Sequence, residues 1–87
     1  MINTYRHKCQ GTCSAFVDIS YDENDIITYV LFYGGCPGNT KGVAALCVGR
    51  SLTEIRDIVK GIRCGNKPTS CPNEIALGIE EILSARQ

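Results

Sequence analysis

The sequence carries no excess of charge of either sign. Nine basic residues balance nine acidic ones over 87 residues. A nonspecific nucleic-acid binder needs surplus cations to displace the counterions of phosphate, so no nucleic-acid partner is expected. The same balance disfavours a polybasic contact with a membrane surface. No apolar run reaches the ~18 residues of a spanning helix. The first residues, Met1-Ile2-Asn3-Thr4-Tyr5-Arg6-His7-Lys8, lack the apolar stretch of a signal peptide. These absences predict a cytoplasmic protein without membrane contact. Histidine is nearly missing too, with His7 alone, which gives too little to assemble a Ser-His-Asp or Cys-His arrangement. Independent catalysis is therefore not expected. Repeats, low-complexity tracts and linkers are absent, and residues 1–87 read as a single domain.

What the sequence does have is cysteine. A chain of 9.5 kDa buries only about 63% of its extended surface on folding, enough for a thin core. Into it go six cysteines: Cys9, Cys13, Cys36, Cys47, Cys64 and Cys71. Six could form a disulfide framework with about 15 connectivities. Two features oppose that reading: no export signal is present, and the cytosol keeps thiols reduced. The chain also has long apolar-periodic segments, which disulfide scaffolds usually lack. A metal site, a redox pair and buried thiols acting as small hydrophobes remain. The last suits Cys47, which lies in the apolar run Val43-Ala44-Ala45-Leu46-Cys47-Val48. His7, two residues before Cys9, could face the same side of a strand, although a lone histidine is more often a surface residue.

The hydrophobic pattern divides the chain into a β-rich first part and an α-rich second part. Asn3 to His7 can extend as a short strand, and Gly11 permits a turn after it. Ser14 to Tyr21 alternates, with Ala15, Val17, Ile19 and Tyr21 on one face. After the turn cluster Asp22-Glu23-Asn24-Asp25, the run from Ile26 to Tyr33 is apolar on both faces and reads as the central strand of an antiparallel meander. Thr40 to Val48 can form a short helix closed by Gly49. Ser51-Leu52-Thr53-Glu54 matches a capping box. Leu52, Ile55, Ile58, Val59 and Ile62 then follow at helical spacing, with Gly65 suited to the left-handed residue after that helix. A last helix, from about Pro72 to Ala85, carries Ile75, Ala76, Ile79, Ile82 and Leu83 on one face; its Glu80-Glu81 pair reads as solubilising charge. The fold class is α+β: a small antiparallel meander of about three strands followed by three helices packed on one face.

Two Cys-Pro steps, Cys36-Pro37 and Cys71-Pro72, stand where helices begin. Proline is favoured at the first helical position, which makes the preceding cysteine the cap. There the free N–H groups and the helix dipole favour thiolate over thiol. The glycines and asparagine at Gly35, Gly38 and Asn39 could hold an anion at a helix start, although no complete phosphate-loop pattern is present.

Thr69-Ser70-Cys71-Pro72, Gly61-Ile62-Arg63-Cys64-Gly65 and Gly34-Gly35-Cys36-Pro37-Gly38-Asn39 together resemble the TSCPD domain family, over nearly the whole chain from Cys13 onward. Larger relatives form the C-terminal segment of cobalamin-dependent ribonucleotide reductases. A complete reductase needs several hundred residues and cannot be present here. The resemblance implies that Cys13, Cys36, Cys64 and Cys71 are the shared cysteines, leaving Cys9 and Cys47 as private additions. The family name ends in Asp, where this chain has Asn73. Four thiolates from four segments could bind zinc or an iron–sulfur cluster, accessory to ribonucleotide reduction. In the alternative, Cys64 and Cys71 form a reversible disulfide that passes electrons to a partner such as a reductase. A third expectation is a non-catalytic interaction domain whose cysteines are only core.

Overall fold

A computed structural model describes residues 2–11, 14–34, 37–62 and 69–86. Three strands, β1 (Asn3–Lys8), β2 (Ser14–Tyr21) and β3 (Ile27–Gly34), precede three helices, α1 (Pro37–Cys47), α2 (Leu52–Val59) and α3 (Cys71–Ser84). The strands form one antiparallel sheet in the order β1-β2-β3. The expected α+β meander with three packed helices is the fold. The central strand is β2, however, and the doubly apolar β3 lies at the edge. Consecutive hairpins leave the second strand in the middle. The two apolar faces of β3 are used differently: Ile27 and Val30 enter the core, while Tyr29, Leu31 and Tyr33 remain on the uncovered face.

Alternation along β1 and β2 sets what faces the helices. His7 pairs with Val17 and Tyr5 with Ile19, and this face is covered by α3. On the opposite face Arg6 donates two hydrogen bonds to Asp18, at 2.8 and 3.0 Å, and lies over the rings of Phe16 and Tyr33. A register shift between Ser14 and Phe16 turns Ser14 inward and Ala15 outward, reversing the face expected for Ala15. The β2–β3 turn is held by Asp22 Oδ1, which accepts from the N–H groups of Asn24 and Ile26.

The helices are punctuated by backbone conformation. Ser51 caps α2 by accepting from the Glu54 N–H at 3.2 Å, as the capping box predicts. That helix stops at Val59, and Gly61 with φ 87° is the left-handed residue behind it. The expected Gly65 lies outside the described residues. Ile62 falls beyond the end of α2 and Ile58, within it, lies off the buried stripe of Leu52, Ile55 and Val59, so both are exposed although both were expected in that stripe. Leu52, Ile55 and Val59 do join Val17, Ile19, Ile75, Ala76, Ile79 and Ile82 in the core. No helix among the described residues is long and apolar enough to cross a membrane.

Candidate metal centre

Two periodicities meet where α3 crosses β1. A strand sends alternate side chains to one face, so Tyr5, His7 and Cys9 all point towards the helix. On α3, residues four and three apart share a stripe, and Glu74, Gly78 and Glu81 form the one that meets them. The strand and the helix run in opposite senses. Tyr5 therefore reaches Glu81, and His7 lies between Glu81 and Glu74. Close approach is possible because Gly78 has no side chain. A Cβ there would stand 3.0 Å from both His7 Cβ and Ile19 Cδ1.

The result is a buried cluster of three unlike donors. His7, Cys9 and Glu74 are 5%, 7% and 2% exposed, and a nitrogen, a sulfur and a carboxylate oxygen from them lie within 4.8 Å of one another. Glu74 is fully engaged. Its Oε1 accepts from His7 Nε2 at 3.0 Å and from the Gln10 backbone N–H at 3.1 Å, and its Oε2 accepts from Thr69 Oγ1 at 2.6 Å. An uncompensated carboxylate here would cost several kcal/mol; charge-assisted hydrogen bonds of about 1.5–3 kcal/mol each offset it. His7 Nδ1 lies 2.9 Å from Glu81 Oε2, yet it has no aligned hydrogen-bond partner among the described residues.

Electrostatics at the cluster keep Cys9 protonated and Glu81 ionised. Burial, then the charge of Glu74 and the nearby Cys71, push the Cys9 thiol up to about 12. Without a cation Cys9 is therefore a neutral thiol, and a bound metal would reverse that preference. Burial alone would raise Glu81, but contacts with His7 and the Tyr5 hydroxyl, at 2.7 Å, outweigh it and hold the carboxyl below its usual range. An open cleft of about 950 Å³ leads to His7 and Glu74, with Glu80 and Glu81 also in its lining.

The four-thiolate centre expected at Cys13, Cys36, Cys64 and Cys71 is corrected by this geometry. The group among the described residues that could hold a metal ion is one imidazole, one thiol and one carboxylate. Among the described residues no all-cysteine cluster and no disulfide occurs, and Cys9, Cys47 and Cys71 are free thiols. Cys13, Cys36 and Cys64 lie outside the described residues, and the expected Cys64–Cys71 redox pair with them. Cys71 is the described member of the set. It is the first residue of α3, not its cap, with Sγ 3.2 Å from Ser14 Oγ. Ser70 takes the cap, accepting from the Asn73 N–H at 3.1 Å and donating to Ile62 O at 2.6 Å; a hydroxyl is the stronger acceptor. Cys47 is core, as expected, and its thiol is raised to about 11 by burial. Of Gly35, Gly38 and Asn39, which could hold an anion, Gly35 lies outside the described residues.

Cys9, Glu74 and Glu81 were not expected at a site. His7 and Cys9 share a strand parity, which was a usable signal. Glu74 and Glu81 are seven residues apart on one helical stripe, and only the packing of α3 on β1 distinguishes them from solvated charge.

Residues 3–83 match the family described as the TSCPD domain. No curated protein and no solved structure matches the chain.

Proposed function

The chain belongs to the TSCPD domain family, and we propose that it is a metal-binding module that holds one divalent ion, zinc, through His7 Nε2, Cys9 Sγ and a Glu74 oxygen. The observation that carries this reading is the burial of three different donor types within 4.8 Å. Zinc takes thiolate sulfur at about 2.3 Å and imidazole nitrogen or carboxylate oxygen at about 2.0–2.2 Å, so in a tetrahedral site two ligands of one ion stand roughly 3.3–3.7 Å apart. The donors, within 4.8 Å of one another, would draw together by at most about 1.5 Å to close on the ion. An iron–sulfur cluster draws on four cysteine thiolates, whereas this group offers one. Harder ions such as magnesium and calcium prefer oxygen throughout.

Three protein ligands leave a fourth position, which the cleft beside His7 and Glu74 can supply with water. Metal entry displaces the proton between His7 and Glu74 and removes the proton of Cys9. The fold already holds the far oxygen of Glu74 on Thr69, so the carboxylate is oriented before the ion arrives.

Elemental analysis of protein purified without chelator tests the reading. About one zinc per chain is expected, falling to background in a His7→Ala, Cys9→Ser double variant and unchanged in Cys47→Ala. Cobalt(II) in place of zinc should show a thiolate charge-transfer band that Cys9→Ser abolishes. Folded wild-type protein that takes up neither ion at micromolar concentration would overturn it.

A further inference from the structure

The imidazole of His7 lies between two carboxylates, Nε2 3.0 Å from Glu74 Oε1 and Nδ1 2.9 Å from Glu81 Oε2. Nδ1 is the buried side-chain atom without an aligned hydrogen bond among the described residues. A cation on Nε2 leaves the ring proton on Nδ1, facing an acceptor already in place. Glu81 is itself held from behind, its Oε1 accepting from Tyr5 Oη at 2.7 Å.

From this geometry we propose that Glu81 is a positioning residue of the metal centre, fixing His7 in the tautomer that ligates through Nε2, with Tyr5 orienting Glu81 in turn. The proposal rests on the zinc reading above and adds to it a residue outside the ligand set. Charge alone is not its basis. Glu80, the adjacent carboxylate, lies in the same cleft but pairs with Lys60 Nζ at 2.8 Å, away from the ring. Outer partners of a ligating histidine typically contribute about 10–100-fold in metal affinity.

Zinc affinity is measured by competition with a chromophoric chelator for wild type, Glu81→Ala, Glu81→Gln, Tyr5→Phe and Glu80→Ala. Glu81→Ala should weaken binding about 10–100-fold. Glu81→Gln, whose amide oxygen still accepts from Nδ1–H, should recover most of that loss. Tyr5→Phe should weaken binding less than Glu81→Ala, and Glu80→Ala by less than threefold. Nitrogen NMR of the zinc-loaded protein should show Nδ1 protonated in wild type and in Glu81→Gln, a signature that a purely structural role of Glu81 would not move. Equal affinity of wild type and Glu81→Ala, or equal losses in Glu80→Ala and Glu81→Ala, would overturn the proposal and leave the zinc reading standing. Wild-type protein that binds no zinc would overturn both.

Discussion

Asn73 shows how one side chain can set the protonation pattern of its neighbours. The N–H of Gly61 points at it from 2.7 Å and requires an acceptor, which fixes Oδ1 on that side. The amide nitrogen must then face Thr69, and Nδ2 donates to Thr69 Oγ1 at 2.8 Å. With its lone pair occupied, the threonine hydroxyl turns its proton to Glu74 Oε2. The carboxylate suggested by the family name could not make the donation to Thr69. Thr69→Val keeps the shape but removes the hydroxyl, leaving an oxygen of a buried carboxylate and an amide N–H without partners. A loss of about 2–3 kcal/mol in urea unfolding is expected, with Thr69→Ser near wild type. A Thr69→Val protein as stable as wild type would mean that water replaces the hydroxyl and that the relay carries little energy.

At the scale of elements, the decisive contact is α3 against β1, and Gly78 sets its distance. Alanine would gain about 1 kcal/mol of helix propensity. Its Cβ, however, would stand 3.0 Å from His7 Cβ, an atom tied to the strand backbone and unable to swing aside. Overpacking of this kind costs about 1–3 kcal/mol, so Gly78→Ala should destabilise the fold and also weaken zinc binding by displacing His7. Gly42 in α1 is the internal control. An added Cβ there meets nothing within 4 Å, and Gly42→Ala should stabilise by about 0.5–1 kcal/mol. Thermal unfolding of the two variants compares them directly; shifts of the same sign would remove the steric account. The strands and helices themselves were legible in the sequence because hydrophobic period 2 and period 3.6 mark them, as Val17 with Ile19 and Ile75 with Ile79 do. The centre was less legible. Short motifs drew attention to cysteines beside proline and glycine, whereas His7, Cys9 and Glu74 become neighbours only through packing between residues 67 apart. Glu81 gave no sequence signal beyond its spacing from Glu74.

For the whole molecule, buried thiols link stability to pH, and metal should change that link. Cys9 is raised to about 12 and Cys47 to about 11, both chiefly by burial, whereas an unfolded cysteine titrates near ~8.5. A raised value means that the folded state holds its protons longer than the unfolded chain does. The resulting stability is complete below pH ~8.5 and is lost progressively as pH rises towards the folded values, by up to about 1.4 kcal/mol per pH unit for each thiol. Metal-free protein should therefore lose stability steeply between about pH 9 and 11, in a range where its carboxylates no longer titrate. Zinc binds Cys9 as thiolate, so the loaded protein should keep only the Cys47 part of this slope. A Cys47→Ala variant loaded with zinc should lose both thiol contributions, keeping only that of Tyr5, whose hydroxyl is raised by its hydrogen bond to Glu81. Urea midpoints across that pH range, with and without metal, separate the two thiols. If the metal-free and zinc-loaded proteins had the same slope, Cys9 would not be a ligand, because a thiol that stays protonated beside a bound ion is not coordinating it.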